Sequence, residues 1–407
     1  MSLWKTPNAM KNLFKIIALA AIASLAITGC IKHDPYDRWP DEGQGGNHGH
    51  GGGSGGGGSE KVEPGAKARD DWSFTYLGLE DYRNPDGGME EVERFRFVYK
   101  GTGRFLFRVI RQEDFTNNYK GSMVDFFMDE VNSLGEDGET FGAETYDVLF
   151  NRMLSGSWIG FMFEAKKDAK GNVESFDYHE QTFTIREQDA TAAYEAWLGG
   201  WHVMSGSVGY DLYIDHIENN YLYKITGWEC GDAVNFDMDQ EYLEGEFWKY
   251  DDCLYIRSQY LGTYNDIDFG YGDVDEVFLG NIFDSNGLTT IIDEGIDVAQ
   301  MVMVEKDAAE LRAMPVKIQT ASGDYETAFY SMQYYMWDHQ KQEYHPYNQK
   351  AGNFKFPFTM TRLPGTRAEA LAPVPERAVT KEAIHRYQPK VAKGGRNSVA
   401  KKTVRIK

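Results

Sequence analysis

The sequence predicts a mainly β protein, a two-sheet sandwich followed by an up-and-down antiparallel barrel. Three observations predict it. Short segments of apolar residues, several in strict alternation with polar ones, recur between residues 71 and 362, separated by Gly, Asn and Asp turn signals. In the second half most connections are too short for crossovers, so sequential strands pair antiparallel. The number of strands there favours closure, because a closed sheet has no exposed edge. A length of 407 residues suits two cores, and a 42% hydrophobic content is enough to fill them.

Residues 1–29 are set apart from the fold. Lys11 and Lys15 lead into an almost wholly apolar run over 13–27, which ends Ile27-Thr28-Gly29-Cys30. A basic start, a short apolar stretch and a small residue at the cut describe a secretory signal. The run is short for a bilayer-spanning helix of roughly 20 residues. Met1 and Met10 are both possible starts, and Met10 gives the more compact signal. Residues 30–69 read as a tether, since 43–59 is mostly glycine and cannot pack. His48 and His50 fall inside it and fit linker composition better than metal binding.

Residues 70–187 form the first folded unit. In 71–79, Trp72, Phe74 and Tyr76 alternate as in a strand. Strands are expected at 91–99 and 104–110, then a helix over 113–134 carrying Phe115, Tyr119, Met123, Phe126, Phe127 and Val131. Further strands are expected at 147–153, 157–165 and 175–185, with Lys170-Gly171-Asn172 as a hairpin turn. Some six strands around one helix suggest an immunoglobulin- or fibronectin-like sandwich with a helical insertion. A sheet packed on a helix is the rival arrangement.

Residues 188–365 form the second unit. An alanine-rich turn of helix over 188–197 precedes strands at 201–205, 210–217, 221–228, 242–249 and 253–260. Later strands are expected at 275–283, 288–292, 298–304, 316–320, 325–337 and 353–362. Alternation points Tyr221, Tyr223, Ile225, Leu254, Ile256 and Tyr260 into the barrel, and Lys224, Thr226, Arg257 and Gln259 toward solvent. These inward residues either line a ligand pocket or fill the interior themselves.

Charge divides the chain again. Residues 60–365 carry 26 basic and 56 acidic side chains, whereas 366–407 carry 11 basic and three acidic. The acidic body excludes nucleic-acid binding over most of the chain. The basic tail is expected to be disordered and solvated, or to dock on the acidic body. Loops after the third and fifth barrel strands, with Asp232, Asp237, Asp239 and Glu241, and Asp266, Asp268, Asp273, Asp275 and Glu276, are expected to form an acidic mouth. Solvated loops explain these carboxylates better than a calcium site. Three cysteines exclude a disulfide scaffold. A bridge between Cys230 and Cys253 is disfavoured, because the strand between them places them at opposite barrel ends.

Ile27-Thr28-Gly29-Cys30 resembles the lipobox of bacterial lipoproteins. The resemblance implies cleavage before Cys30, acylation of that cysteine and retention on a membrane, expected to be the outer one. Gly199-Gly200-Trp201, at the start of the first barrel strand, resembles the Gly-x-Trp element of lipocalins and related calycin barrels. There the Trp plugs the closed end and a basic residue of the last strand crosses its ring. Trp201 and Arg362 match these two positions. The whole layout resembles a group of Bacteroidota lipoproteins. The stretch after Ile292 is longer than a minimal eight-stranded barrel requires.

No metalloprotease, serine-hydrolase, P-loop or dinucleotide motif is present, so the chain reads as a non-enzyme without a cofactor. Two functions remain. In one, the barrel of a membrane-anchored binding protein captures a small apolar or amphipathic molecule. In the other, the barrel is filled and exposed aromatics bind glycans or protein partners.

Overall fold

A computed structural model describes residues 64–365, except 85–86, 135–139, 143, 207, 228–241, 267–271, 284–288, 293–294, 319–323 and 347–353, together with 399–400 and 404–405. The signal segment, Cys30, the glycine run, Cys230 and the acidic residues Asp232, Asp237, Asp239, Glu241 and Asp268 lie outside the described residues.

The first unit contains β1 (Gly65–Ala68), β2 (Ser73–Arg83), β3 (Met89–Tyr99), β4 (Phe105–Arg111), α1 (Gln112–Tyr119), α2 (Met123–Leu134), β5 (Thr140–Phe141), β6 (Glu144–Asn151), β7 (Gly156–Lys167) and β8 (Val173–Ile185). Two sheets result, one ordered β2-β3-β6 and the other β1-β8-β7-β4-β5. Between them lie Trp72, Phe74, Phe95, Phe97, Phe105, Phe107 and Phe150. On the other face of the larger sheet, Phe161, Phe163 and Phe176 pack against Phe115, Phe126 and Phe127 of the helices. Successive side chains of β4 and β7 point to opposite faces, and both sets are largely apolar, with Arg108 on the helix face buried in an ion pair with Glu130.

The single helix expected over 113–134 is two. Lys120 (φ 52°) and Gly121 (φ 77°) adopt the left-handed region, and their N–H groups donate to Thr116 O and Phe115 O. Glycine just past a helix end is the usual stop, and it outweighs the continuing apolar spacing.

The second unit begins with α3 (Ala192–Glu195), capped by Thr191, and runs through β9 (Gly199–Ser205), β10 (Val208–Glu218), β11 (Leu222–Thr226), β12 (Leu243–Trp248), β13 (Cys253–Arg257), β14 (Gln259–Asp266), β15 (Gly272–Phe283), β16 (Thr289–Ile292), β17 (Asp297–Glu305), β18 (Ala308–Ala313), β19 (Pro315–Ile318), β20 (Tyr325–Ala328), β21 (Ser331–Asp338), β22 (Glu343–Pro346), β23 (Phe354–Lys355) and β24 (Phe358–Arg362). Eight of these close an antiparallel barrel in the order β10-β11-β12-β13-β17-β18-β24-β9.

The excess length is two insertions. One, β14 to β16, leaves after the fifth barrel strand. The other, β19 to β23, leaves after the seventh. In an up-and-down barrel, connections after odd-numbered strands share one end. Both insertions therefore rise from the open end, and β15 pairs with β21 to join them in one sheet. One face of that sheet, with Phe278, Ile282, Met332 and Tyr334, belongs to the same core as the barrel interior. The expected strand over 253–260 is broken at Ser258, where the chain leaves β13 for the insertion.

The tail is not wholly solvated. Of its described residues, β25 (Val399–Ala400) pairs with β19 and β26 (Val404–Arg405) pairs with β16. Among the described residues no helix is long and apolar enough to cross a membrane.

Candidate functional site

The floor of the barrel is built from the turn α3 and the ends of the first and last strands. Trp201 is 0% exposed, and its indole N–H donates to Trp197 O at 2.9 Å. The Arg362 guanidinium lies over the indole at 4.2 Å and donates to Leu198 O at 2.8 Å and to Ala196 O. A planar fork on two helix-end carbonyls and an aromatic face fixes both ends of the barrel sheet at once.

Tyr223, Ile225, Leu254 and Ile256 point inward and are fully buried, as alternation requires. Tyr223 stacks on Tyr194 at 4.3 Å and donates to its carbonyl. Burial pushes both phenols well above their ordinary range, so they remain neutral donors. A Cβ on Gly245 would stand 2.7 Å from Ile225 Cδ1 and 2.8 Å from Leu254 Cδ2. The interior is packed there to van der Waals contact.

Two of the expected lining residues face elsewhere. The register of β10 shifts between His216 and Glu218, and β11 begins only at Leu222. Tyr221 therefore sits in the turn, packs on the core of the first unit and donates to Arg152 O at 3.2 Å. Tyr260 lies on β14 and packs with Val277, Leu279, Tyr335 and Tyr344 on the far face of the inserted sheet. Of the residues expected in solvent, Lys224 is only 6% exposed, set 5.2 Å from the Tyr242 ring and opposite Asp215. Gln259 is buried as well, with its amide bonded to Glu244. Of the carboxylates expected at the acidic mouth, Asp275 and Glu276 are instead buried within β15, with His339 Nε2 3.0 Å from Asp275; Asp232, Asp237, Asp239, Glu241 and Asp268 lie outside the described residues.

Cys253 carries a free, buried thiol that donates to Asp251 O. Burial, reinforced by Asp251, pushes it up to about 11, which leaves it a poor nucleophile. Among the described residues no three His, Cys, Asp or Glu side chains are grouped to hold a metal ion.

A cavity of about 320 Å³ lies instead where the two units meet. Its walls come from β2, β3, the segment after β6, the end of β8 and Glu218 at the end of β10. Glu93, 0% exposed, continues the inward set of Phe95, Phe97 and Tyr99 along β3. It accepts from Tyr76 OH at 2.7 Å and from Met153 N at 3.4 Å. Glu218, 5% exposed, accepts from the N–H and hydroxyl of Ser155 at 3.0 and 2.8 Å. Burial raises both carboxyls above the ordinary carboxylate range, against those hydrogen bonds.

Arg152, which lines this cavity together with Arg186, joins the units. It pairs with Glu91 at 2.5 Å, donates to Asn219 O and Asn220 O, and lies over Tyr221. Lys249 of the barrel bonds Glu91 from the other side and also reaches Asp81. The hairpin tip is locked to the linker as well, because Thr191 donates its N–H and hydroxyl to Asn220 Oδ1. Asn220 takes φ 57°, a conformation asparagine tolerates in tight hairpins.

The sequence reading passed over Glu93, Arg152 and Glu218. The available signal was a carboxylate at an inward position of an otherwise aromatic strand face. No family model, no curated protein and no solved structure matches the chain.

Proposed function

We propose that this chain is an exported lipoprotein, held at the outer membrane by acyl chains on Cys30. In this reading the barrel is a rigid, filled, lipocalin-like scaffold without catalytic activity, and exposed aromatics recognise a glycan or protein partner. The observation that carries it is the packed barrel interior. Capture of a small molecule needs a void of some 300 Å³ or more. Here Trp201 and Arg362 close one end, the inserted sheet covers the other, and the inward side chains pack on one another between them. The first unit is read as an immunoglobulin-like spacer. Its support is the chain crossing between the two sheets after β1, β3, β5 and β6.

Phe283 is the best-placed recognition residue. It is 50% exposed and stacks on Tyr330 at 4.0 Å and 12°. A rigid, half-exposed aromatic pair offers a flat apolar face of the kind sugars and partner proteins use. The test is native mass spectrometry of the detergent-extracted chain, followed by glycan-array binding of the wild type and Phe283→Ala. We expect no co-purified small molecule, and loss of glycan binding in the variant without a change in melting temperature. A retained apolar molecule would restore the capture reading. Cys30→Ser should release the chain from membranes, and its retention there would remove the anchor.

A further inference from the structure

The C-terminal segment fills one strand edge in each of the two insertions. β16 pairs with β15 on one side, and β26 takes its other edge in antiparallel register, with Ile291 opposite Val404 and Thr290 opposite Arg405. β19 pairs with β20, and β25 takes its other edge in parallel register, with Lys317 opposite Val399 and Ile318 opposite Ala400. Residues 401–403 are all that separates β25 from β26. One short segment therefore spans the insertion that leaves after the fifth barrel strand and the one that leaves after the seventh.

Both edges need a cover. The unpaired N–H and C=O groups of an edge strand are a template for another strand, and proteins commonly blunt such edges with lysine or proline. β16 is Thr-Thr-Ile-Ile and has neither. In β19, Val316 and Ile318 are buried in the barrel core, and Lys317 is already paired with Asp324 at 3.3 Å. The covering segment has matching chemistry. Residues 398–407 include the β-branched Val399, Thr403, Val404 and Ile406, together with the basic Lys401, Lys402, Arg405 and Lys407 and no acidic residue. The body over 60–365 carries 56 acidic side chains against 26 basic ones. Main-chain hydrogen bonds give an added strand its affinity, and opposite charge speeds its arrival.

We propose that the edges of β16 and β19 form a two-part strand-accepting site, whose occupant is the chain's own C-terminal segment, and that this segment is a removable cover against self-association. Residues 363–398, at up to roughly 3.3–3.6 Å each, are long enough to reach a second copy as well as their own. Tethering favours their own, because a linked segment competes at an effective concentration far above that of a second copy in dilute solution. Removal of the segment leaves both edges open to another chain.

The first test uses the full chain in detergent. Ile291→Cys with Val404→Cys sets two thiols on directly opposed residues. Oxidation in dilute solution should give a bond between positions 291 and 404 within one chain, read by tryptic mass spectrometry and a non-reducing gel. A bond between chains, or none between these positions, would overturn the proposal. The second test removes residues 398–407. The shortened chain should self-associate more strongly than the wild type in light scattering, and a free peptide of residues 398–407 should bind it one-to-one and reverse the association. The same peptide with Val399→Pro and Val404→Pro keeps its charge and loses two ladder donors, so it should bind about ten-fold or more weakly. Equal binding of the two peptides would mean that charge alone attracts them, and unchanged association with no peptide binding would mean that the edges accept no strand; either overturns the proposal. Should the shortened chain fail to fold, Val399→Pro with Val404→Pro in the full chain should raise self-association in the same way, and wild-type behaviour there would overturn it equally.

Discussion

The guanidinium of Arg362 lies 4.2 Å from the centre of the Trp201 ring, so the last barrel strand closes on the first through a cation and an indole. Arg362 also caps the carbonyls of Ala196 and Leu198 and approaches Asp307 at 3.4 Å. Arg362→Ala removes the stacking, worth about 0.5–2 kcal/mol, and leaves buried carbonyls without their charged donor, at about 1.5–3 kcal/mol. A net loss of about 2–4 kcal/mol in denaturant unfolding is expected, allowing for overlap between these effects. Arg362→Lys should fall between, because it keeps the charge and loses the fork. A loss below about 0.5 kcal/mol would show that the closure lies elsewhere, since that is the range of ordinary surface changes.

Gly245 tests whether the barrel is filled. A methyl group there meets Ile225 Cδ1 and Leu254 Cδ2 inside ordinary contact distance. In a packed interior both side chains must shift against their own neighbours, at about 1–3 kcal/mol for overpacking. In a hollow barrel they would swing into the void at little cost. Denaturant midpoints of wild type and Gly245→Ala separate the two, and an unchanged midpoint would speak for a hollow interior.

Strand existence was legible because alternation is a local property. One barrel strand has no place among the expected ones, because its composition does not alternate: β18, Ala-Ala-Glu-Leu-Arg-Ala, is set by its pairing with β17 and β24 on both sides. Tyr221 and Tyr260 failed for another reason. Counting by twos assumes an unbroken strand, and the register shift in β10 and the exit at Ser258 break it. The Trp201–Arg362 pair was legible only through the barrel resemblance, since no spacing rule links positions on opposite ends of a sheet. The cavity was not legible at all, because its carboxylates come from separate units.

Glu93 gives stability a definite dependence on pH. Burial places its folded-state pKa above the ordinary 4.5, so the folded chain holds this proton more tightly than the unfolded one. Its contribution is then fully present below the ordinary value and is lost as pH rises through the raised one. Tyr76, Arg152 and Glu91 act on the same carboxyl, with Arg152 opposing the shift and Glu91 adding to it. Glu93→Gln keeps an acceptor for Tyr76 and removes the titration. As pH rises above the ordinary carboxyl value and through the raised one, the wild type should therefore lose stability relative to this variant. Urea titrations across that range check it, and parallel curves would show that Glu93 is ionised in the fold without penalty.

Arg152 is the residue on which the coupling of the two units depends. It stands after the last strand of the smaller sheet, yet two of its hydrogen bonds end on the barrel hairpin at Asn219 and Asn220. Its ion pair with Glu91 is shared with Lys249, a barrel residue that also holds Asp81. Removing one partner of such a buried pair costs about 3–5 kcal/mol, because the other is left without its full compensation. Arg152→Met keeps the bulk of the aliphatic stem over Tyr221, so the loss reports the charge rather than the packing. The barrel interior and the core of the first unit are distinct clusters, the latter joined by Leu222, Ile217 and Tyr221 of the barrel hairpin. The expected result is accordingly not uniform destabilisation but a split: one cooperative unfolding transition in the wild type, and two in Arg152→Met. Calorimetry with intrinsic tryptophan fluorescence resolves them, since Trp72 and Trp158 report the first unit and Trp197 and Trp201 the barrel. A single transition shifted as a whole would mean that the remaining hairpin contacts of Thr191 and Ser155 suffice to hold the units as one.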